Sequence, residues 1–259
     1  MTDAAHISPQ QPPPHIAVEQ LTIGYDDVVV LSDISFEVAR GDVFVIMGGS
    51  GSGKSTLLRH MIGLAEPLSG AIHYGSLTLT GAHPADRHSI LRSIGVLFQS
   101  SALWSAMTLE DNVALPIEQL TRVPRREARA LARFKLALVG LAGFEHHFPS
   151  QISGGMQKRA GLARAIALDP ATLFLDEPSA GLDPITGRRL DELILELRDT
   201  IGVSVVVVTH ELASIFAIGS NGIFLDGETH SIIGRGNPRT LRDTSADPRI
   251  RSFLNREAA

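Results

Sequence analysis

From Ile16 to Val38 apolar and polar residues alternate, in IAVEQLTIGY and then VLSDISFEV, with the turn-prone YDD between them. A period of two puts one face on a core and leaves the other wet, which predicts two half-buried antiparallel strands. Beyond Asp42 the pattern changes. DVFVIM (42–47), SIGVLFQ (93–99), TLFLDE (172–177) and VSVVVVTH (203–210) are short, nearly continuous apolar runs that end in polar residues. Such runs read as strands covered on both faces, so they predict an α/β fold with a mainly parallel core sheet and helices on each side. In open parallel sheets functional residues gather at the carboxyl ends of the strands, and all four runs end there in residues of chemical interest.

Between the second and third runs, about 101–168, the chain reads as a helical subdomain inserted into the core. TRVPRREARALARFKLALVGL contains Pro124 as a helix start, with Leu131, Phe134, Leu138 and Leu141 expected on one apolar stripe and Gly140 and Gly143 near the stop. Residues 1–15, polar and rich in Pro and Gln, are expected to form a mobile tail, with the main domain over 16–236 and a C-terminal extension over 237–259. In that extension DPRIRSFLNREAA has the pattern of a short amphipathic helix. The sequence shows no internal repeat and no coiled-coil heptads.

At 259 residues and 44% hydrophobic content the chain can bury a sizeable core. A net charge of −5 and a pI near 6.0 supply no global basic field, so nucleic acid is not an expected partner. The sequence has no cysteine, which removes disulfides, thiolate metal sites and cysteine nucleophiles together and fits a reducing compartment. MTDAAHISPQQPPPH has no basic n-region or apolar h-region, and aliphatic runs such as VSVVVV fall far below the roughly 18 residues of a membrane span. The expectation is a chain neither exported nor membrane-spanning by itself.

GGSGSGKST, from Gly48 to Thr56, satisfies G-x-x-x-x-G-K-[ST] directly after an apolar strand and before KSTLLRHMIGL, in which Leu57, Leu58, Met61 and Ile62 share a helix face. The loop residues Gly48, Gly49, Ser50, Gly51, Ser52 and Gly53 can curl backbone amides around a β-phosphate, and the helix that follows adds its positive dipole end. Lys54 reaches the β and γ oxygens, the Ser55 hydroxyl can ligate Mg²⁺, and Thr56 completes the motif. A merely flexible glycine loop would not need the lysine, the hydroxyl and both flanking elements at once.

The run TLFLDE ends in Asp176 and Glu177, adjacent carboxylates that are costly at a buried strand end unless a cation or a proton transfer uses them. Asp176 is the natural Mg²⁺ holder, directly or through water, opposite Ser55, and Glu177 would polarise the water that attacks a γ-phosphate. Two further strands end in Gln99 and His210. Either could be an ordinary polar terminus; by position His210 could meet the γ-phosphate or Glu177, and Gln99 the Mg²⁺ or the attacking water.

A second glycine pair lies about a hundred residues on, in ISGGMQKRAGLARAIAL. Ser153 is a good N-cap, and Gly154 and Gly155 permit close backbone approach, so the helix start is either an ordinary capped terminus or a second surface for an anion.

GGSGSGKST, Gln99, ISGGM, TLFLDEP, SAGLD and His210, in this order, resemble the full motif set of the ATP-binding cassette (ABC) ATPases, a P-loop NTPase family, over about 16–236. The resemblance implies a mainly parallel core sheet, an antiparallel β subdomain and an inserted α-helical subdomain. It also implies two chains paired head to tail, each ATP held by the loop of one chain and by Ser153, Gly154 and Gly155 of its mate. It further implies that Tyr25 stacks on adenine, although a strand-end aromatic is an equal reading of the residue alone, and that Asp183 communicates across the dimer. Two positions depart from the family pattern: Ile152 stands for the usual leucine and Met156 for the usual glutamine. The phosphate contacts survive both changes; the fine positioning by residue 156 is what they affect.

FQSSALWSAMTLEDNVALPIEQ, LARAIALDPATLFLDEPSAGLDPIT and DPRIRSFLN narrow the resemblance to the ATPase subunits of the Mla phospholipid transporters. That similarity implies ATP and Mg²⁺, a second copy, an integral membrane permease, an MCE-domain protein and in some systems a STAS-domain subunit. It also implies a peripheral position on the cytoplasmic face of the inner membrane. Ser100 to Pro116 would receive the permease's coupling helix, with Leu103 and Trp104 either in or beside that groove or packed within the lobe. Two other functions share the same ATP chemistry: a cassette for another substrate, such as amino acids or solvents, and a soluble ABC ATPase acting on DNA or ribosomes. The latter class carries long coiled coils or two cassettes, which this chain lacks. His146 and His147 lack metal-site spacing and companions, and RVPRREARALAR reads as a solvated helix face.

Overall fold

In the computed structural model, which describes residues 15–25 and 28–255, the two alternating stretches pair as expected. Strand β1 (Ile16–Tyr25) runs antiparallel to β2 (Val28–Val38), with Ile16 opposite Val38 and Tyr25 opposite Val28. The turn residues Asp26 and Asp27 and most of the expected tail lie outside the described residues. His15, assigned to that tail from sequence, belongs to the fold instead. Its backbone N–H donates to Val38 O at 3.0 Å, and its buried ring finds a polar partner, Nε2 lying 2.7 Å from Thr172 Oγ1. The strand ladder and that partner together hold it.

The chain continues through β3 (Val43–Gly48), α1 (Lys54–Met61), β4 (Ser69–Tyr74), β5 (Leu77–Thr78), α2 (Pro84–Arg92) and β6 (Ile94–Leu97). The stretch expected to be helical holds α3 (Leu109–Leu120), α4 (Arg125–Leu138), a short 3-10 turn (Pro149–Gln151) and α5 (Gly154–Ala165). Then come β7 (Thr172–Asp176), α6 (Pro184–Ile201), β8 (Ser204–Val208), α7 (Leu212–Ile218), β9 (Asn221–Asp226), β10 (Ser231–Arg235), α8 (Pro238–Thr244) and α9 (Pro248–Leu254).

Two sheets result. One is antiparallel, in the order β2-β1-β4-β5; the other has the order β10-β9-β3-β8-β7-β6 and is parallel except for β10. The four apolar runs read from sequence are four consecutive strands of the second sheet, β3-β8-β7-β6. Their continuity has a direct cause in the packing. Leu173, Leu175, Val205 and Val207 join one core cluster with α3, α4, α5 and α6, while Phe174, Val206 and Val208 join another with α1 and the antiparallel sheet. Alternate residues thus face opposite cores, and both must be apolar.

Only half of the stripe expected along α4 is buried: Leu141 lies in the core and Leu138 packs against it. Leu131 and Phe134 are exposed, at 41% and 56%, and the buried face carries Ala128, Ala132 and Leu136. The helix packs between α3 and α5, where alanines allow close approach and bulky side chains are turned outward. Gly140, at φ 72°, ends it in the left-handed region. The C-terminal segment is also more than an appendage. Ile250, Phe253 and Leu254 of α9 are buried against Val45, Met47 and Phe224, covering the face of β3 that α1 leaves open.

A polar chain runs between α6 and α7. Ser214 Oγ donates to Asp191 Oδ2 at 2.8 Å and lies 3.2 Å from Ser179 Oγ, while Asp191 Oδ1 is buried without a partner. Burial, reinforced by Glu211 and Glu192 and opposed by the Ser214 bond, pushes the Asp191 carboxyl up to about 6. The folded chain therefore holds this proton more tightly than the unfolded one. The group's stabilising contribution is full at low pH and is lost as pH rises from the ordinary 3.8 through about 6. Asp191→Asn should raise the melting temperature at pH 8 by about 2–4 °C or more, with a smaller gain at pH 5. Thermal melts of both proteins at the two pH values check this; an equal shift at both pH values would remove the titration from the account.

Candidate functional site

Because β3, β8, β7 and β6 are neighbours and parallel, the loops that follow them open on one sheet edge. There they line a cleft of about 650 Å³ with Gly49, Lys54, Ser55, Gln99, Glu177 and His210 on its walls. Four of the sequence-read stretches thus meet in space: the glycine loop, Gln99, Asp176 with Glu177, and His210.

The loop between β3 and α1 needs glycine at Gly51 and Gly53, with φ of 77° and 88°. Gly48 is fixed by packing, since a Cβ there would stand 2.3 Å from Leu225 O. Gly49 is different: its φ is unexceptional, and a Cβ would meet nothing of this chain within 4 Å. The fold itself does not require glycine at that place. Helix α1 starts at Gly53 with no side-chain cap and no acidic residue in its first turn, so its first amides and positive dipole end are left for something outside the helix. Lys54 Nζ donates to Gly48 O at 3.0 Å and Gly49 O at 2.7 Å. Burial lowers its pKa, and the negative charges of Glu177 and Asp176 push it back up.

Ser55 Oγ donates to Asp176 Oδ1 at 3.2 Å across the cleft. The Asp176 carboxyl is held above the ordinary aspartate range, chiefly by burial, with neighbouring Glu177 adding to the rise and the Ser55 bond opposing it. A hydroxyl and a desolvated carboxylate are hard oxygen donors of the kind Mg²⁺ takes, so the residues fit that ion. Among the described residues no group of three or more His, Cys, Asp or Glu could hold a metal without further ligands. Oxygens of a bound substrate would have to complete the shell.

Glu177 sits at φ 47°, a backbone region that non-glycine residues rarely enter. Its N–H donates to Val208 O at 2.8 Å. Oε1 lies 2.6 Å from His210 Nδ1, where an Nδ1–H donates to the carboxylate, and Oε2 is buried without a partner. A carboxylate with one oxygen held and the other free is arranged to accept a proton from a water molecule.

Ser153 caps α5, accepting from Met156 N–H at 3.3 Å, but it does not line this cleft. It borders a separate hollow of about 540 Å³ with Gly155, Met156 and Thr186. The two glycines beside it differ. A Cβ on Gly155 would stand 2.6 Å from Thr186 Cγ2, so packing against α6 demands glycine; a Cβ on Gly154 would meet nothing within 4 Å. Asp183 caps α6, accepting from Ile185 N–H at 3.1 Å and Thr186 N–H at 3.0 Å. Tyr25 is half exposed at the end of β1, and Val30 rather than Tyr25 lines the cleft on that side. Leu103 packs against the core of the helical lobe; Trp104 is 60% exposed, its backbone held at both ends by Asn112.

One site residue escaped the sequence reading. Lys158 of α5 is buried and its Nζ donates to Gln99 O and, at 3.2 Å, to Glu177 O. Only its place five residues after Ser153 could have drawn attention to it.

Residues 31–180 match the model of the ABC transporter family. The chain belongs to that family. It is 38% identical over 226 residues to the intermembrane phospholipid transport system ATP-binding protein MlaF of Escherichia coli, covering 87% of this chain and 83% of that one. It is 38% identical over 240 residues to the probable ribonucleotide transport ATP-binding protein mkl of Mycobacterium tuberculosis, and spans 66% of that longer relative. Among solved structures, a dimeric ATP-binding cassette in a post-hydrolysis state bound to ADP and Pi superposes with a TM-score of 0.78 at 30% identity, over 86% of this chain and 98% of that one. CbiO1 of Clostridium perfringens, part of an ABC transporter complex, gives a TM-score of 0.79 at 26% identity, over 93% and 99% of the two chains. The fold is accordingly that of an ABC ATPase, with the parallel sheet, antiparallel sheet and helical lobe expected from the sequence.

Gly154 offers a test that separates stability from ligand binding. Gly154→Ala should leave the melting temperature unchanged or raise it, alanine being the better helix former by up to about 1 kcal/mol. ATP turnover, followed by phosphate release, should nevertheless fall about tenfold or more, as a loss of about 1.4 kcal/mol or more implies. Unaltered turnover would mean that no ligand approaches that backbone.

Proposed function

We propose that this chain is the ATP-hydrolysing subunit of a membrane ABC transporter, closing as a dimer on ATP to drive a permease whose cargo is phospholipid. The observation that carries the hydrolytic part is Glu177: one carboxylate oxygen tied to His210, the other buried and unpartnered at the edge of a cleft that also holds Lys54 and Ser55, whose hydroxyl bonds Asp176. On this reading the amides of Gly49 to Thr56 and the Lys54 ammonium bind the β- and γ-phosphates, and Tyr25 stacks on the adenine. Ser55, Asp176 and Gln99 hold Mg²⁺, which when bound supplies charge neutralisation at the phosphates. Glu177, oriented by His210, takes the proton of the attacking water. Phosphoryl transfer asks for positioning and charge neutralisation rather than covalent help, which is what this set provides.

The dimer follows from the half-site that the chain leaves unused. Gly154, free of any packing demand in its own chain, and the cap at Ser153 stand away from the cleft. A second copy, turned head to tail, would bring them to the γ-phosphate, with Gly155 beside them and Asp183 at the seam. ATP then favours closure through contacts that exist only in the closed state, and hydrolysis removes them.

For the permease, an apolar groove of about 540 Å³ runs between β6 and α3, lined by Ile94, Phe98, Leu115, Pro116, Leu120 and Leu168. It suits an amphipathic coupling helix, and it meets the segment from Ser100 to Pro116 near both ends, at Ala102 and at Leu115 and Pro116. Among the described residues no helix is long and apolar enough to cross a membrane. A peripheral position on the cytoplasmic face of the inner membrane, beside a permease, an MCE-domain protein and a STAS-domain subunit, is the assembly this reading takes. Phospholipid is preferred over ribonucleotide as cargo because the relative named for phospholipid is covered over 83% of its length, against 66% for the other. Copurification with the membrane partners and mass spectrometry of the bound molecule tests the cargo; a nucleotide or amino acid in place of lipid would reject it.

Glu177→Gln keeps an oxygen for His210 but removes the base. It should bind ATP with near-parental affinity, accumulate as closed dimer in size-exclusion chromatography, and hydrolyse about 10²–10⁴ times more slowly. Near-normal turnover would refute the base assignment. Mixing a Ser153→Arg chain with a Lys54→Ala chain tests the shared site. In the mixed dimer one site carries both lesions and the other neither, so activity should reappear although each homodimer is inactive; no recovery would mean that Lys54 and Ser153 of one and the same chain serve one nucleotide, against a shared site.

A further inference from the structure

A buried lysine is expensive, and Lys158 is only 6% exposed. Burial lowers its pKa while Asp176 and Glu177 push it up. Its donors are spent on two backbone carbonyls, Gln99 O and Glu177 O, the latter at 3.2 Å. Those carbonyls follow neighbouring strands, β6 and β7, and belong to the residues at the two sides of the hydrolytic centre. Glu177 in particular sits at φ 47°, a backbone conformation that persists only when its surroundings over-determine it. Lys158 is one of the groups that do so.

The same helix is clamped along its length to the segment containing Gln99. A Cβ on Gly161 would stand 2.7 Å from Leu97 Cδ1, and one on Gly95 would stand 2.1 Å from Ala165 O, so α5 and β6 are in close contact. Arg164 donates to Ser101 O at 2.8 Å and Ala102 O at 2.6 Å. Thus α5 cannot shift without carrying the backbone of 99–102, and through Lys158 that of Glu177. At its other end α5 begins at Ser153.

We infer that Lys158 is a positioning residue that couples the two ATP sites of the dimer: movement of the Ser153 end of α5 on a partner's nucleotide sets Glu177 and Gln99 against the chain's own. The inference rests on the shared-site reading. Because both acceptors are main-chain oxygens, the link is independent of which side chains occupy positions 99 and 177. It therefore acts on geometry and leaves nucleotide binding almost untouched.

Lys158→Met, similar in length but without donors, tests it in the full chain with Mg-ATP. Affinity should stay within about threefold, kcat should fall about tenfold or more, and the Hill coefficient for ATP, above 1 in the parent, should drop toward 1. Lys158→Gln, which keeps an amide donor, should recover part of both. Should Lys158→Met fail to give a folded protein by thermal melt, the same paired loss is read from Lys158→Gln. Unchanged kcat overturns the inference. So does a lower kcat with an unchanged Hill coefficient, or a parent without cooperativity, since either leaves Lys158 acting on its own site alone. The mixed-chain recovery described above decides the shared site separately, so failure of that reading and failure of the Lys158 link give different results.

Discussion

Asp176 and Glu177 are like charges on consecutive residues, at the end of a strand whose other residues are buried. Charge so placed is tolerated only where counter-charge and hydrogen bonds are supplied at close range. The surrounding elements supply them: Lys54 and Ser55 from the start of α1, Lys158 from α5 and His210 from the loop just after β8. The balance is mutual, for burial lowers the pKa of both lysines and the same two carboxylates oppose that lowering in part. Removing one member would leave the others desolvated and uncompensated, so the strand order that brings them together is an electrostatic requirement as well as a packing one.

That balance is also incomplete. One oxygen of Glu177 has no partner, α1 has an uncapped start, and Gly49 has room for atoms this chain does not provide. Each feature, alone, has a bland explanation. Together they leave donors, an acceptor and empty space unspent in one small volume, which suits an anion. A superposed cassette of the same family binds ADP and Pi.

Legibility from sequence followed how local the physics was. The core strands β3, β7 and β8 are readable because both faces of each are buried, and the edge strand β6 because its half-buried face is apolar too, so no polar residue interrupts these runs. β1 and β2 showed their alternation for the opposite reason. β9 and β10 were not singled out: Asn221–Asp226 sits between a short helix and a turn, and its burial depends on α9 closing over it from the chain's far end. In the α4 stripe Leu138 and Leu141 pack inward and Leu131 and Phe134 do not, because hydrophobicity alone does not decide burial. In a three-helix contact the inward face needed small residues, and Ala128 and Ala132 met that need while Phe134 was left outside. The glycine loop, Gln99, Asp176, Glu177 and His210 were readable as motifs, and the sheet edge explains why they meet. Lys158 was not, since a lysine's meaning here comes from two carbonyls 59 and 19 residues away.

The same distinction bears on the two glycine pairs. From sequence, Gly154 and Gly155 look alike; in the fold, Gly155 answers to Thr186 and Gly154 to nothing in the chain. A residue that costs helix stability and relieves no internal contact implies a contact elsewhere. Gly49, in the loop ahead of α1, likewise has room that nothing in the chain fills. That these two exceptions are exposed, one in the cleft and one at the start of α5 beyond it, is hard to reconcile with a monomer that completes its own site. It is the arrangement required if each chain contributes one face to each of two nucleotides, and α5, clamped to β6, is then the body that both faces share.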